Sequence, residues 1–290
     1  MNEVFKLLAK YNWKTKLSKC QFVSEKINYL GHEISNGKIF PLDRNLEKLK
    51  NMKRPTNTDE MISFLGVCGY YKKFIQGYEY IVHPLRKYTI GISKSKDKND
   101  SKENLNQNKI ENNSKLNIHN INPKNFDFSK DEEAESSYQK LLNLLTSKPI
   151  LRLFDSKKNI IVKTDVSKYA WGAALVQTED GIEHPVAFAS GTLNSSQRNW
   201  PTWKREAYGV LRAIKKWSHY LLGVEFTVVT DHEANVYLLD QNRKHPPIIN
   251  NWIIELSVYK YKVVHRPGKT LYIEDGLSRS PNLFLLNDEI

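Results

Sequence analysis

Cysteine is scarce in this 290-residue chain: Cys20 and Cys68 are the only two. Two thiols exclude a disulfide scaffold, and without a CxxC pair they exclude a cysteine-based zinc site. A reducing, intracellular compartment is expected, cytoplasmic or nuclear. No apolar run approaches the ~18 residues of a membrane span, and no signal-peptide pattern opens the chain. No membrane partner is expected. Residues 91–125 lack aromatics altogether and hold ten Asn, seven Lys and four Ser. Such a stretch cannot bury enough apolar surface to offset its ordering entropy. It reads as a disordered Asn/Lys-rich insertion between two folded parts.

What is abundant is positive charge. Lys and Arg number 44 against 32 Asp and Glu, a net charge of +12. A balance of this kind points to an anionic partner such as nucleic acid, or to a lysine-rich solvated surface. Residues 1–90 hold 16 basic and 8 acidic residues, whereas residues 126–290 hold 21 and 20. The excess therefore sits at the N-terminal end. With 40% hydrophobic and 11% aromatic residues, both flanking parts have material for real cores.

In the first part, Val4, Phe5, Leu7, Leu8 and Tyr11 mark an amphipathic helix whose basic character also suits a mitochondrial presequence. Asn28–His32 and Lys38–Phe40 read as strands joined at Ser35-Asn36-Gly37, an Asn-Gly turn signal. Asn57, before Asp59 and Glu60, predicts a helix N-terminus, with Phe64, Val67, Cys68, Tyr71 and Phe74 at helical spacing and Lys72 and Lys73 closing the helix. In the second part a helix is expected over Asp131–Leu145. Strands follow at Asn159–Thr164, Gly172–Gln177 and His184–Ser190, then a long helix from Pro201 to Leu222. Two more strands, Glu225–Thr230 and Lys260–His265, come before a terminal helix. That order predicts a mixed five-stranded sheet with flanking helices, an α/β domain.

Four acids occupy awkward places. Asp165 and Asp231 each follow an apolar strand. Glu206 lies on the core-facing side of the long helix, and Asp275 opens the terminal one. Singly, each fits a turn, a cap or a solvated face. Together they resemble a carboxylate cluster, which mutual repulsion allows to persist when a cation stands between its members. All-oxygen ligands favour Mg²⁺ or Mn²⁺ over zinc. Two such ions serve phosphodiester cleavage.

The run Thr164-Asp165-Val166-Ser167-Lys168-Tyr169-Ala170-Trp171-Gly172-Ala173-Ala174-Leu175 resembles the TDAS-x-x-A-x-GAVL segment of gypsy-type LTR retrotransposon Pol proteins. Arg198 to Glu206, His219 to Gly223, Thr230-Asp231-His232, Arg266-Pro267-Gly268-Lys269 and Asp275-Gly276-Leu277-Ser278-Arg279 resemble that family's ribonuclease H domain in order and spacing. Lys19 to Phe22, Tyr29-Leu30-Gly31-His32 and Phe64 to Ile75 resemble the stretch after the polymerase palm, and Lys148-Pro149-Ile150-Leu151 the lead into ribonuclease H. The resemblance makes the presequence reading unlikely. It implies a palm end and mainly helical thumb over 1–90, the insertion over 91–125, a connection over 126–155, a ribonuclease H-like domain over 156–285 and a tail over 286–290.

The resemblance further implies hydrolysis of the RNA strand of an RNA–DNA hybrid with two Mg²⁺ ions, Mn²⁺ being the alternative. Asp165 would bridge both ions, Glu206 and Asp231 would complete the leaving-group side, and Asp275 would hold the ion that activates water. His265 would assist turnover or sit beside a basic loop as a surface residue. Lys72, Lys73, Arg266 and Lys269 would grip nucleic acid. His219 and His232 are expected to be structural or exposed, and Trp200, Trp203 and Trp252 to pack in the core rather than stack on bases. No Asp-Asp pair occurs in the chain, so no polymerase activity is expected, and palm and fingers of a larger Pol product are the implied partners. Tyr272-Ile273-Glu274 before Asp275, Gly276 after it, and Asn251 where the family often has Arg depart from the pattern. They keep open a binding remnant without catalysis.

Overall fold

The computed structural model describes residues 2–16, 18, 20–22, 24–89, 121–147, 149–240 and 247–266. Asp275, Lys269, the terminal helix, the tail and residues 91–120 of the expected insertion lie outside the described residues. The last five residues of that expected insertion are described. Ile121 packs against the core, and the Pro123 carbonyl accepts the Thr58 amide at 3.0 Å.

Strand β1 (Lys26–Tyr29), β2 (His32–Ser35) and β3 (Lys38–Pro41) form an antiparallel meander that β4 (Leu151–Arg152) extends. The Asn-Gly turn is present, with Asn36 at φ 47° and Gly37 at φ 71°. The single strand expected over Asn28–His32 is broken. Leu30 (φ 43°) and Gly31 (φ 71°) make a second two-residue turn, so three strands stand where two were expected. Leucine rarely adopts positive φ, and nothing in its own chemistry signals the turn. Tyr70 holds it instead, its hydroxyl donating to the Leu30 carbonyl.

Helices α2 (Asp43–Lys50), α3 (Thr58–Tyr70), α4 (Tyr78–Val82) and α5 (Glu132–Thr146) complete the first part, with α1 (Asn2–Lys10) preceding it. The Asn57 side chain caps α3 by accepting the Glu60 amide at 3.0 Å, as the N-terminal signal predicts. Lys72 and Lys73 fall beyond α3, in a 3₁₀ turn over Lys72–Phe74.

The second sheet has five strands: β5 (Asn159–Val166), β6 (Ala170–Glu179), β7 (Ile182–Thr192), β8 (Glu225–Thr230) and β9 (Lys260–His265), in the order β7-β6-β5-β8-β9. The first three are antiparallel. β8 runs parallel to β5, and β9 parallel to β8. This is the mixed α/β sheet the sequence predicts. The expected long helix stops at Lys216 as α7 (Thr202–Lys216) and resumes as α8 (Ser218–Leu221). α6 (Ser195–Arg198), α9 (Ala234–Leu238) and α10 (Pro247–Leu256) complete the domain.

Both faces of this sheet are covered, so β5 reads as a continuous apolar run rather than an alternation. Ile160, Val162 and Val166 pack with Ala207, Val210 and Ile214 of α7. Ile161, Ala174, Val176 and Val229 join Phe64, Phe128, Tyr138 and Leu141 in the other cluster. That second core crosses the expected boundary at residue 155. The helical first part therefore forms the floor under one sheet face.

Candidate active site

In β5 Asp165 is the one exposed residue of its second half, after five buried positions. Pairing of Lys163 with Val229 places Asp165 level with Asp231, the first residue after β8. Two neighbouring parallel strands thus deliver carboxylates at the same edge. Glu206 comes from α7 and is only 4% exposed. Close approach of α7 to β5 brings it there. Gly209, one turn further on, faces Val166, and a Cβ at that position would lie 2.4 Å from Val166 Cγ2.

The electrostatics follow from this crowding. Burial, then the charges of Asp231 and Asp165, push the Glu206 carboxyl up to about 9, with Arg205 and the Val166 amide working the other way. Asp165 keeps an exposed surface at the strand end, yet the protein atoms crowded around its carboxyl, and then Asp231, raise it as well, against the Val166 amide. Arg205 Nη1 donates to the Ser167 carbonyl at 3.2 Å. Several buried polar atoms here have no hydrogen-bond partner among the described residues: Thr164 Oγ1, Arg205 Nε, Glu206 Oε2, His232 Nδ1 and Asn235 Oδ1. Buried polar groups are normally satisfied, so such a concentration marks a place that works on something else.

The donor set is all oxygen and fits a hard divalent cation in its chemistry. Glu206 Oε2 is buried and unpartnered beside two like charges, the situation that a cation relieves. Among the described residues, no three His, Cys, Asp or Glu side chains stand close enough to hold one ion. The fourth expected ligand, Asp275, is not among those residues.

His265 ends β9 opposite Thr230. Its Nε2 lies 3.0 Å from the Asp231 carbonyl and donates to it. The Arg266 amide donates to the Thr230 carbonyl at 3.0 Å, and its guanidinium lies 3.9 Å from Glu183. Lys72 is exposed, while Lys73 is half-buried with its ammonium 5.3 Å from the Phe74 ring centre, and burial lowers its pKa. Both belong to the first part, on the turn that packs against β7. His219 is exposed, its ring tilted by 45° against that of Tyr220 at a centroid distance of 4.1 Å. His232 is half-buried. Trp200 and Trp252 pack together with Tyr208 at centroid distances of 5.5–6.0 Å, and Trp203 joins the same core. Trp252 is buried there, and Trp200 and Trp203 are half-buried against the same core.

Sequence reasoning passed over Gly209, Arg205 and Tyr80. A glycine inside an otherwise helical pattern signals close approach and marks Gly209. Tyr80 carries no local signal.

Comparison with known proteins agrees with this fold. Residues 155–259 match the model of the "RNase H-like domain found in reverse transcriptase". The chain is 32% identical over 277 residues to the retrovirus-related Pol polyprotein from transposon 297 of Drosophila melanogaster, covering 95% of this chain and 23% of that polyprotein. It is 25% identical over 283 residues to the transposon Tf2-3 polyprotein of Schizosaccharomyces pombe, covering 96% of this chain and 19% of that one. The chain thus spans about a quarter or less of these relatives' length. Among solved structures, the foamy viral protease-reverse transcriptase in complex with RNA/DNA hybrid shares the fold, with a TM-score of 0.63 at 16% identity over 93% of this chain and 32% of that one. The same protein in complex with dsDNA gives a TM-score of 0.63 over 92% of this chain and 50% of that one. Residues 155–259 belong to the RNase H-like domain family of reverse transcriptases, and the chain belongs with the Pol polyproteins of gypsy-type LTR retrotransposons.

Proposed function

We propose that the protein is a divalent-metal-dependent ribonuclease H that hydrolyses the RNA strand of an RNA–DNA hybrid. The observation that carries this reading is the buried Glu206 carboxyl, with an unpartnered Oε2, beside the Asp165 and Asp231 charges. Carboxylates so crowded serve a cation better than they serve the fold. Asp165, Glu206, Asp231 and Asp275 would hold two Mg²⁺ ions, with Mn²⁺ as the substitute. Bound there, the ions would neutralise the cluster and lower the barrier to attack of water on a phosphodiester.

The chain's own residues prepare that chemistry. Asp165 and Asp231 hold position at the ends of two hydrogen-bonded strands. Glu206 is fixed by the α7–β5 contact. His265 holds the backbone of Asp231 and stands beside the site, where it assists turnover. Arg266 directly follows β9, Lys269 comes three residues later in the sequence, and Lys72 and Lys73 stand on the basic first part. All four are proposed to contact phosphates, whose neutralisation drives duplex binding. The foamy viral relatives of this fold were solved on dsDNA and on RNA/DNA hybrid, which supports a duplex as ligand. Polymerase activity is not part of the proposal. Palm and fingers of a Pol product are its proposed partners, in cytoplasm or nucleus.

One observation favours a second reading, a nucleic-acid-binding remnant without catalysis: the described acids are not gathered around a single point. The two readings separate in one assay. The chain is incubated with Mg²⁺ and labelled RNA–DNA hybrid, beside an Asp165→Asn variant and an EDTA control. Cutting of the hybrid's RNA by the parent alone, with duplex DNA left intact, is the expected result. Binding without cutting, or equal cutting by the variant, overturns the nuclease reading.

A further inference from the structure

We propose that Tyr80, on the helical first part, is a positioning residue that holds the backbone beneath the Asp165 carboxylate. The proposal rests on the nuclease reading of that site and adds to it a residue from outside the ribonuclease H-like domain.

The Tyr80 hydroxyl donates to the Ala170 carbonyl at 2.9 Å, and the Asp165 carbonyl is also within reach at 3.3 Å. It also accepts the Ser167 amide at 3.2 Å, as a second partner to the Ala170 carbonyl, which takes the same amide at 2.9 Å. One hydroxyl therefore ties both ends of the turn that joins β5 to β6. Ser167 folds that turn locally, its Oγ accepting the amides of Tyr169 and Ala170 at 3.1 Å. Tyr80 fixes the turn to the rest of the molecule.

The ring has a seat of its own. Gly172 is the register partner of Asp165, and a Cβ there would lie 3.2 Å from Tyr80 Cε2. Glycine keeps the strand surface open for the ring. α4 is anchored on either side of it: the Glu79 amide donates to Ser190 Oγ at 3.1 Å, and Ile81 and Val82 are buried.

A reacting carboxylate displaced by about 1 Å can lose orders of magnitude in rate. The backbone that carries Asp165 is a strand end, and strand ends fray unless tied. Tyr80 is the tie. It touches neither substrate nor ion, so it acts through Asp165.

Tyr80→Phe in the full chain removes the hydroxyl and keeps the ring. The expected result is a roughly tenfold fall in kcat for RNA-strand cleavage with KM for the hybrid unchanged, a loss equal to about 1.4 kcal/mol of barrier. The Mg²⁺ concentration for half-maximal rate rises several-fold. The Ser167 amide, left with the Ala170 carbonyl as its one acceptor, exchanges hydrogen several-fold faster by NMR. Retention of parental kcat and Mg²⁺ dependence overturns the proposal, as does unchanged Ser167 exchange. If the parent chain cuts no RNA, the nuclease reading fails on its own. Ser167 exchange and Mn²⁺ affinity, followed by electron paramagnetic resonance, then decide: faster exchange with weaker binding upholds the tie, and unchanged values sink it.

Discussion

His265 Nε2 donates to the backbone carbonyl of Asp231 across 3.0 Å, joining the end of β9 to the residue that follows β8. The parallel pairing of Thr230 with His265 sets this bond up, and the Arg266 amide reinforces it at the Thr230 carbonyl. An imidazole with Nε2 engaged in this way is a brace for Asp231 as much as a group beside the site. His265→Ala is expected to lower stability by about 1 kcal/mol, the net worth of one such bond. Turnover should fall about tenfold while hybrid affinity holds. Urea denaturation and steady-state cleavage measure the two effects, and a variant with parental turnover refutes the brace.

Gly209 sets the distance between α7 and β5. A methyl group there meets Val166 Cγ2 at 2.4 Å, so helix or strand must move. Overpacking of this kind costs about 1–3 kcal/mol. Helix propensity works the other way, since alanine gains about 1 kcal/mol over glycine in a helix interior. The steric cost wins, because neither neighbour is the free end of a flexible side chain. Gly209→Ala should lose up to about 2 kcal/mol by denaturant titration, and activity should fall further than stability does, because Glu206 rides on the same helix. A stabilised, fully active variant would show that α7 stands further from the strand.

The sheet was legible because its central strands are apolar on both faces and β9 alternates exposed and half-buried residues. Glu225–Thr230 and Lys260–His265 are found where the sequence puts them, and Asp180-Gly181, an Asp-Gly turn signal, joins β6 to β7 at positive φ. Three of the four acids were legible as acids at the ends of apolar strands or on a core-facing helix stripe. Less could be read where structure depends on partners far along the chain. Leu30 turns because Tyr70, forty residues on, holds its carbonyl. α2 is short and lysine-rich, and Leu46 and Leu49 show their apolar stripe only once they are buried. Tyr80 reads as one more aromatic on a short helix. Its role lies in contacts 85 to 90 residues away.

The two thiols should differ sharply. Cys68 is fully buried on α3, and burial pushes its pKa up to about 12. The thiolate is the reactive form, so Cys68 is inert in the folded protein. Cys20 is half-exposed. Iodoacetamide at pH 8 is expected to label one cysteine in native protein and two in urea. Peptide mass mapping identifies Cys20 as the native site. Native labelling of Cys68 would mean that α3 opens from the core.

Glu206 links the site to the stability of the whole fold. Its ordinary value is 4.5 and its folded value about 9, so the folded state holds the proton more tightly than the unfolded chain does. Stability contributed by this group is therefore present below about pH 4.5 and is lost as pH rises towards 9. Glu206→Gln keeps the shape and removes the titration. In EDTA the variant should match the parent near pH 4.5 and exceed it increasingly up to pH 9, by an amount on the order of a few kcal/mol. Each kcal/mol raises Tm by about 2–4 °C in a domain of 150–250 residues. Mg²⁺ should then narrow the gap, because a cation lets the parent ionise without cost and offers the glutamine much less. Thermal melts across pH with and without Mg²⁺ measure both effects. A gap that is constant with pH would remove the carboxyl's crowding as its cause, and a gap that ignores Mg²⁺ would remove the cation from the site.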